Sequence, residues 1–426
     1  MKRITAVFAL FAISAALFSC AVPSGTVTET NGTTSVGTAE PFVPSAEICK
    51  YMWNAKGAVT VVFDDGIEDT ATWVKENYPT FPVAYSIIGD RIARLKTAKS
   101  KEYKYTDERG RTHSNTEYVL DENGKFVYTL KKDKVAFWQD ILDTTDAELL
   151  SHTFTHMYTG TSDDGGYVEG RDDPLPGRCV TADVIGAGQV LREVFGGHNG
   201  LIIADAGVGV SRHEDDHPLY YNTIYDYYIG CRGGDSEVPT TYDNFEEMRY
   251  DLPGLMPETA TEPKDGMTLE ETRAAQLEKW LAYIDSAIEN ESLTGICVHC
   301  VGEGYIITSY SDMAAMLDHC IEKASDGSLW IAKLTDATMY MEERLATAVN
   351  VTADDGCSEI TVTLVNDLDP VYDEPLTVKI AVPGDWNNAV LHDGTPVEVV
   401  KDEGHSFVIA NILPNSGSYT IKRSDS

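Results

Sequence analysis

From residue 57 to about 345, short apolar runs alternate with segments of helical periodicity. That alternation restricts the chain to an α/β fold built on parallel strands. The runs lie at 58–63, 83–88, 201–204, 295–301 and 329–334. Between the last three fall two helical patterns. In the first, Leu277, Trp280, Leu281, Ile284 and Ile288 share one face, and Thr268 with Glu271 forms a capping box at the start. The second, 312–323, is expected to bury Met313, Met316, Leu317, Cys320 and Ile321. These stripes read as core.

Two regions depart from the rhythm. Residues 97–135 are polar, with short apolar stretches on either side of Asn123-Gly124, and Asn-Gly between such stretches signals a hairpin turn. An inserted β-hairpin over the mouth of the site is expected there. After about residue 346 the period becomes two: Ile360, Val362 and Leu364; Val378, Ile380 and Val382; Phe407 and Ile409; Tyr419 and Ile421. Turns at Asp354-Asp355-Gly356, Asp393-Gly394 and Pro414-Asn415 separate the runs. A small accessory β-sandwich is expected over 347–426.

At the N-terminus, Lys2 and Arg3 precede the apolar run 4–16, and Leu17-Phe18-Ser19-Cys20 follows. This is the layout of an export signal, and its end resembles a bacterial lipobox. Residues 1–20 are therefore expected to be a lipoprotein signal and Cys20 a lipid anchor to a bacterial membrane, with a secreted protein as the alternative. Residues 21–47 are rich in Thr, Ser and Gly and read as a flexible tether. The run 4–16 is too short to span a bilayer, so a multi-span membrane protein is excluded.

With 68 acidic against 33 basic side chains the formal net charge is −35. Such an excess repels phosphate backbones and opposes counterion release, so nucleic acid is not an expected partner. Apart from Cys20, the cysteines at 49, 179, 231, 297, 300, 320 and 357 are scattered and form no evident disulfide framework. Cys297 and Cys300 sit in an apolar run and read as buried thiols.

Three segments carry chemistry. The run ending at Phe63 leads into Asp64-Asp65-Gly66, two adjacent carboxylates where a buried strand meets a turn. Strand ends of α/β folds mount catalytic groups on rigid backbone. In Ser151-His152-Thr153-Phe154-Thr155-His156 two histidines stand four apart, on one face if the segment is helical. The pair lacks the glutamate of a zincin, but one Asp and two His make a three-ligand metal site with open positions. Third, His299 is embedded in an apolar strand, where it serves either as a satisfied core residue or as an acid or base near working pH.

Together these segments resemble the polysaccharide deacetylase (NodB homology) family, carbohydrate esterase family four. Val62-Phe63-Asp64-Asp65-Gly66 is similar to its T-F-D-D-G motif, His152-Thr153-Phe154-Thr155-His156 matches H-[ST]-x-x-H, and Cys297-Val298-His299 resembles its L-x-H strand end. The stretch from Leu329-Trp330-Ile331-Ala332 to Glu343-Arg344 looks like its closing strand and helix. The resemblance covers roughly 50–345 and implies a distorted, partly open (β/α) barrel over 48–346. It also implies a divalent metal, usually zinc, on Asp65, His152 and His156, with Asp64 as general base and His299 as general acid.

The chain departs from the family in two motifs. The family's third motif carries an Arg that orients the base, and 201–207 contains none. Arg232 is the first candidate to replace it and Arg212 the second. The fourth motif is not recognisable, with Asp235 its nearest substitute. The expected function is metal-dependent removal of acetyl groups from a carbohydrate: N-acetyl of peptidoglycan or chitin-like sugars, or O-acetyl of xylan. The alternative is a non-catalytic surface glycan-binding protein on a degenerate deacetylase fold.

Overall fold

The computed structural model describes residues 42–106, 112–156, 180–206, 218–233, 237–402 and 404–424. The signal, Cys20, Cys179, Arg212, Asp235 and the tether as far as residue 41 lie outside them. Among the described residues no helix is long and apolar enough to cross a membrane.

The fold is a distorted, partly open (β/α) barrel followed by antiparallel sheets. Its centre is a seven-stranded sheet whose strands run in the order Gly230–Arg232, Ile202–Ala204, Ala147–Ser151, Val83–Ile87, Gly57–Phe63 and Leu293–Val298, with Leu329–Ala332 also pairing on Gly57–Phe63. Every pairing in this sheet is parallel. Gly57–Phe63 is buried at all seven positions, which is why it reads as a continuous apolar run rather than an alternating one.

The sheet forks at this strand. Along one edge Leu293–Val298 follows it from Ala58 to Phe63. The opposite edge is shared, Leu329–Ala332 taking residues 57–60 and Val83–Ile87 taking only Val62 and Phe63. The two neighbours therefore diverge toward the N-terminal ends of the strands.

Between the outer strands a short segment partly closes the barrel. Leu252 bridges to Arg232 and Leu255 to Ile296, both in parallel. Main-chain bonds run from Leu252 N–H to the Cys231 carbonyl and from Cys297 N–H to the Leu255 carbonyl. Gly295 permits this approach, since a Cβ there would lie 2.1 Å from the Pro253 carbonyl oxygen.

Helices cover the sheet. Leu269–Glu289 begins with the expected capping box at Thr268 and Glu271 and buries Trp280, Ile284 and Ala287, with Leu277, Leu281 and Ile288 packed at the margin of the same core. Tyr310–Ser325 buries Met313, Met316, Leu317 and Cys320. Ile321 was expected in that stripe but is exposed, because the face that meets the core is narrower than the apolar pattern. Burying one such aliphatic side chain is worth roughly 1.5–3 kcal/mol, so these faces hold the strands in register.

The insertion after Val83–Ile87 is antiparallel. Thr97–Thr106 pairs with Thr112–Tyr118, and Ala93–Leu95 pairs with Tyr128–Leu130. Leu120 and Phe126 bridge across the Asn123-Gly124 turn. Only Gly124 of that pair has positive φ, at 78°, so the turn is longer than a two-residue hairpin loop.

Beyond the barrel two antiparallel sheets form. One orders Ala348–Ala353, Glu359–Val365, Ser418–Arg423, Ala389–Leu391 and Pro396–Val397, and the other Ala46–Ile48, Leu376–Ala381, His405–Ile412 and Val400–Asp402. Residues 46–48, read in the sequence as the end of the tether and the start of the barrel region, thus add a strand to the second sheet. In His405–Ile412 the core face is Val408, Ala410 and Ile412, while Ile409 is only half-buried. The expected parity was Phe407 and Ile409. Phe407 is buried from the other side, where the Lys379 ammonium sits 4.4 Å from its ring centroid.

Candidate metal centre and catalytic site

The strand Gly57–Phe63 leads directly into Asp64, and the chain turns at once through Asp65, whose φ is +68°. A left-handed conformation at a non-glycine residue costs about 1–3 kcal/mol and persists where its surroundings enforce it. It sends the two neighbouring carboxylates toward different partners.

Asp65 Oδ1 faces two imidazoles. His152 Nε2 lies 3.3 Å away and His156 Nε2 3.1 Å away. The two histidines do not share a helical face, as their spacing had suggested. His152 follows the end of strand Ala147–Ser151, and the chain then loops through Thr153 and His156, both at positive φ. That loop brings the ring centroids to 4.9 Å. Asp183 braces it, its Oδ1 accepting from Thr155 N–H and Thr155 Oγ1 at 2.6 Å each. His152 Nδ1 lies 3.0 Å from the Ala204 carbonyl oxygen. A carbonyl can only accept, so Nδ1 carries a proton, and Nε2 is the nitrogen turned toward Asp65.

Asp65 Oδ1 and His152 Nε2 are buried and have no hydrogen-bond partner among the described residues. Atoms of Asp65, His152 and His156 all lie within 4.8 Å of one another. Buried polar atoms that converge in this way without hydrogen bonds are costly unless something joins them. One carboxylate and two imidazoles are the donors of a divalent first-row metal, and the residues present fit one.

Asp64 has different surroundings. Its Oδ1 accepts from Ser86 Oγ at 2.6 Å, and its Oδ2 accepts from Arg232 Nη2 at 2.5 Å and from the Cys297 thiol at 3.0 Å. Burial raises the Asp64 carboxyl, but Arg232 together with His152, His299 and Ser86 outweighs it, and the group is held below the ordinary carboxylate range. For Asp65 the two imidazoles of His152 and His156 beside it likewise overcome burial and hold the carboxyl below the ordinary range. Arg232 is itself almost fully buried, and Asp64 is the main influence that opposes the cost of that burial and holds its pKa high.

His299 lies at the end of strand Leu293–Val298. Atoms of Asp64, Cys297 and His299 are within 4.8 Å of one another, and its ring packs edge-on against Tyr305, with centroids 5.5 Å apart. Burial, partly offset by Asp64 and Asp65, lowers its pKa. Although this second trio could ligate a cation by composition, the Arg232 guanidinium already occupies Asp64 Oδ2.

The structure therefore brings Asp64, Asp65, His152, His156, Arg232 and His299 together at the C-terminal ends of the barrel strands. The sequence assigns no role to Ser86, Asp183 or the Ala204 carbonyl, and Cys297, which is buried as expected, reads there only as a thiol of the third segment. Ser86 had a signal, being the polar interruption of an apolar run. Asp183 and the Ala204 carbonyl depend on pairings between distant segments and had none.

No protein-family model matches the chain, and no curated protein does. Among solved structures it is similar to a mutant of a CE4 family pseudoenzyme with restored enzymatic activity, at 11% identity over 67% of this chain and 68% of that one, with a TM-score of 0.33. It is also similar to the Xyl-CE4 domain of a multidomain xylanase from the hindgut metagenome of Trinervitermes trinervoides, at 9% identity over 66% and 89%, with a TM-score of 0.30. A Streptococcus mutans CE4 esterase follows, at 12% identity over 66% and 87%, with a TM-score of 0.29.

Proposed function

We propose that the chain is a metal-dependent hydrolase that removes acetyl groups from a carbohydrate. The observation that carries this reading is the division of labour between neighbours: Asp65 faces two imidazoles, while Asp64 faces a guanidinium, a hydroxyl and a thiol.

Asp65, His152 and His156 would hold the metal, for which zinc suits the donor set. A divalent ion there supplies Lewis-acid polarisation and a water of lowered pKa. Asp64 accepts the proton of the attacking water. A carboxylate has about four lone-pair directions, and three are engaged by Arg232, Ser86 and Cys297, leaving one for that proton. Arg232 keeps the carboxylate ionised and fixed in orientation. As water adds to the acetyl carbon, the bond to the sugar nitrogen or oxygen breaks, and His299 delivers a proton to the departing atom. Because burial lowers the His299 pKa, the ring takes its proton from solvent before delivering it, and the proton that Asp64 accepted returns to solvent as acetate leaves. Acetate and the free amine or alcohol leave.

The substrates we propose are N-acetyl groups of peptidoglycan or chitin-like sugars and O-acetyl groups of xylan. The sequence before residue 42 supports export as a surface lipoprotein anchored through Cys20. Acetate release from a panel of these glycans, with and without chelator, tests the reading. Chelator-sensitive release from one class supports it. Metal and glycan binding with no release from any class would favour a non-catalytic glycan-binding protein.

A further inference from the structure

A cavity of about 560 Å³ lies along strand Leu329–Ala332, beside the residues that lead into Gly57–Phe63, Val83–Ile87 and Ala147–Ser151 and against the C-terminal sheet. The carboxylates of the catalytic site lie at the other end of Gly57–Phe63, about 20 Å away at ~3.3 Å per residue. The cavity lies within the size range of ligand sites. Trp53, Trp330, Asp146, Lys333, Glu374 and Asn411 are among the residues that line it.

Trp53 is the unusual member. It is 66% exposed, whereas the molecule's other large aromatic side chains are mostly packed, and its backbone is left-handed at φ 59°. Asn54 beside it is left-handed too. The conformation is held from the C-terminal sheet: Trp53 N–H donates to Thr377 Oγ1 at 2.9 Å, and Thr377 Oγ1 donates to Asn411 Oδ1 at 2.7 Å. A strained turn that keeps an indole in solvent at the mouth of a cavity contributes nothing to the core. Strain of this kind marks sites that meet a ligand.

The cation of the cavity is already engaged. Lys333 lies 3.4 Å from Asp146 and 3.3 Å from Asp336, and His198 behind them bridges Asp336 at 3.4 Å and Asp373 at 2.7 Å. Burial, then Asp336, pushes Glu374 up to about 8, away from its charged form. An anion would find its one cationic partner held by two carboxylates. What remains is a flat apolar face with carboxyl and amide groups at its rim. A pyranose ring matches that set, with a C–H face for an indole and a rim of hydroxyls for polar groups.

We infer that this cavity is a second carbohydrate subsite, which holds a neutral sugar ring of a glycan chain against Trp53 at the end of the barrel opposite the catalytic groups. The inference does not depend on the catalytic reading, because the test measures retention and not acetate.

Affinity electrophoresis of the full chain in gels containing arabinoxylan or glycol chitin provides the test. It compares the wild type, Trp53→Ala and Trp53→Phe. Retardation is expected in at least one gel, weakened at least fivefold in Trp53→Ala and largely restored in Trp53→Phe. Circular dichroism of Trp53→Ala should match the wild type, since truncating so exposed a side chain opens no core. The inference is overturned by absence of retardation in both gels or by retardation that Trp53→Ala leaves intact.

Discussion

Arg232 Nη2 lies 2.5 Å from Asp64 Oδ2, although 168 positions separate the two residues in sequence. Both are almost fully buried, so each charge depends on the other. Breaking a buried pair by removing one partner costs about 3–5 kcal/mol. Arg232→Ala should lower the unfolding midpoint markedly and also abolish acetate release. Thermal unfolding monitored beside a turnover assay checks both, and an Arg232→Ala protein of wild-type stability would remove the pair from this account.

Asp64→Asn keeps the shape of the side chain but loses the proton acceptor. Bound metal should stay at the wild-type level while acetate release falls about a hundred- to ten-thousandfold, the usual worth of a general base. Metal analysis and turnover on the same preparation separate the two effects. An active Asn variant would deprive Asp64 of the base role.

Three carboxyl groups away from the site make stability depend on pH. Burial, with the charge of Asp336, pushes Glu148 up to about 7; burial also takes Glu343 to about 7 and Glu374 to about 8. The unfolded chain has lost these protons by about pH 5, whereas the folded chain keeps them to pH 7–8. The folded state therefore binds more protons across that window, and stability falls as pH rises through it. His198, raised to about 9 by Asp336 and Asp373 despite its burial, acts in the same direction between about 6.5 and 9. The unfolding midpoint should accordingly be lower at pH 9 than at pH 6, and Glu148→Gln should flatten the slope. A midpoint that rises over this range would contradict the assignment.

At Gly295 an added Cβ would meet the Pro253 carbonyl oxygen at 2.1 Å, and backbone cannot swing aside as a side chain does. Gly295→Ala should therefore cost about 1–3 kcal/mol by forcing the closing segment off strand Leu293–Val298. Chemical denaturation measures the loss, and a neutral effect would mean that the closure is loose.

The sequence showed those parts of the fold that are written locally. Continuous apolar runs marked the parallel strands at Gly57–Phe63 and Leu293–Val298, and Thr268 with Glu271 marked the start of a helix to the residue. Asp64, Asp65, His152, His156 and His299 could be singled out because each sits in a short motif. The route by which they meet could not. His152 and His156 had the spacing of a helical face, but Thr153 and His156 adopt left-handed backbone that only the folded surroundings enforce. Ser86 and Cys297 reach Asp64 from neighbouring strands, and no local pattern records which strands become neighbours. The fork of the central sheet is equally hidden, since it arises from two strands sharing one edge of Gly57–Phe63.

The most direct test of the central claim is the metal content of the purified chain after equilibration with excess zinc and removal of the free ion. The account predicts one tightly held ion per chain, lost in His152→Ala and in Asp65→Ala while each variant remains folded, and retained in Asp64→Asn. A wild-type chain that retains no ion, or an Asp65→Ala variant that holds it as tightly, would contradict the claim that Asp65, His152 and His156 form a metal centre.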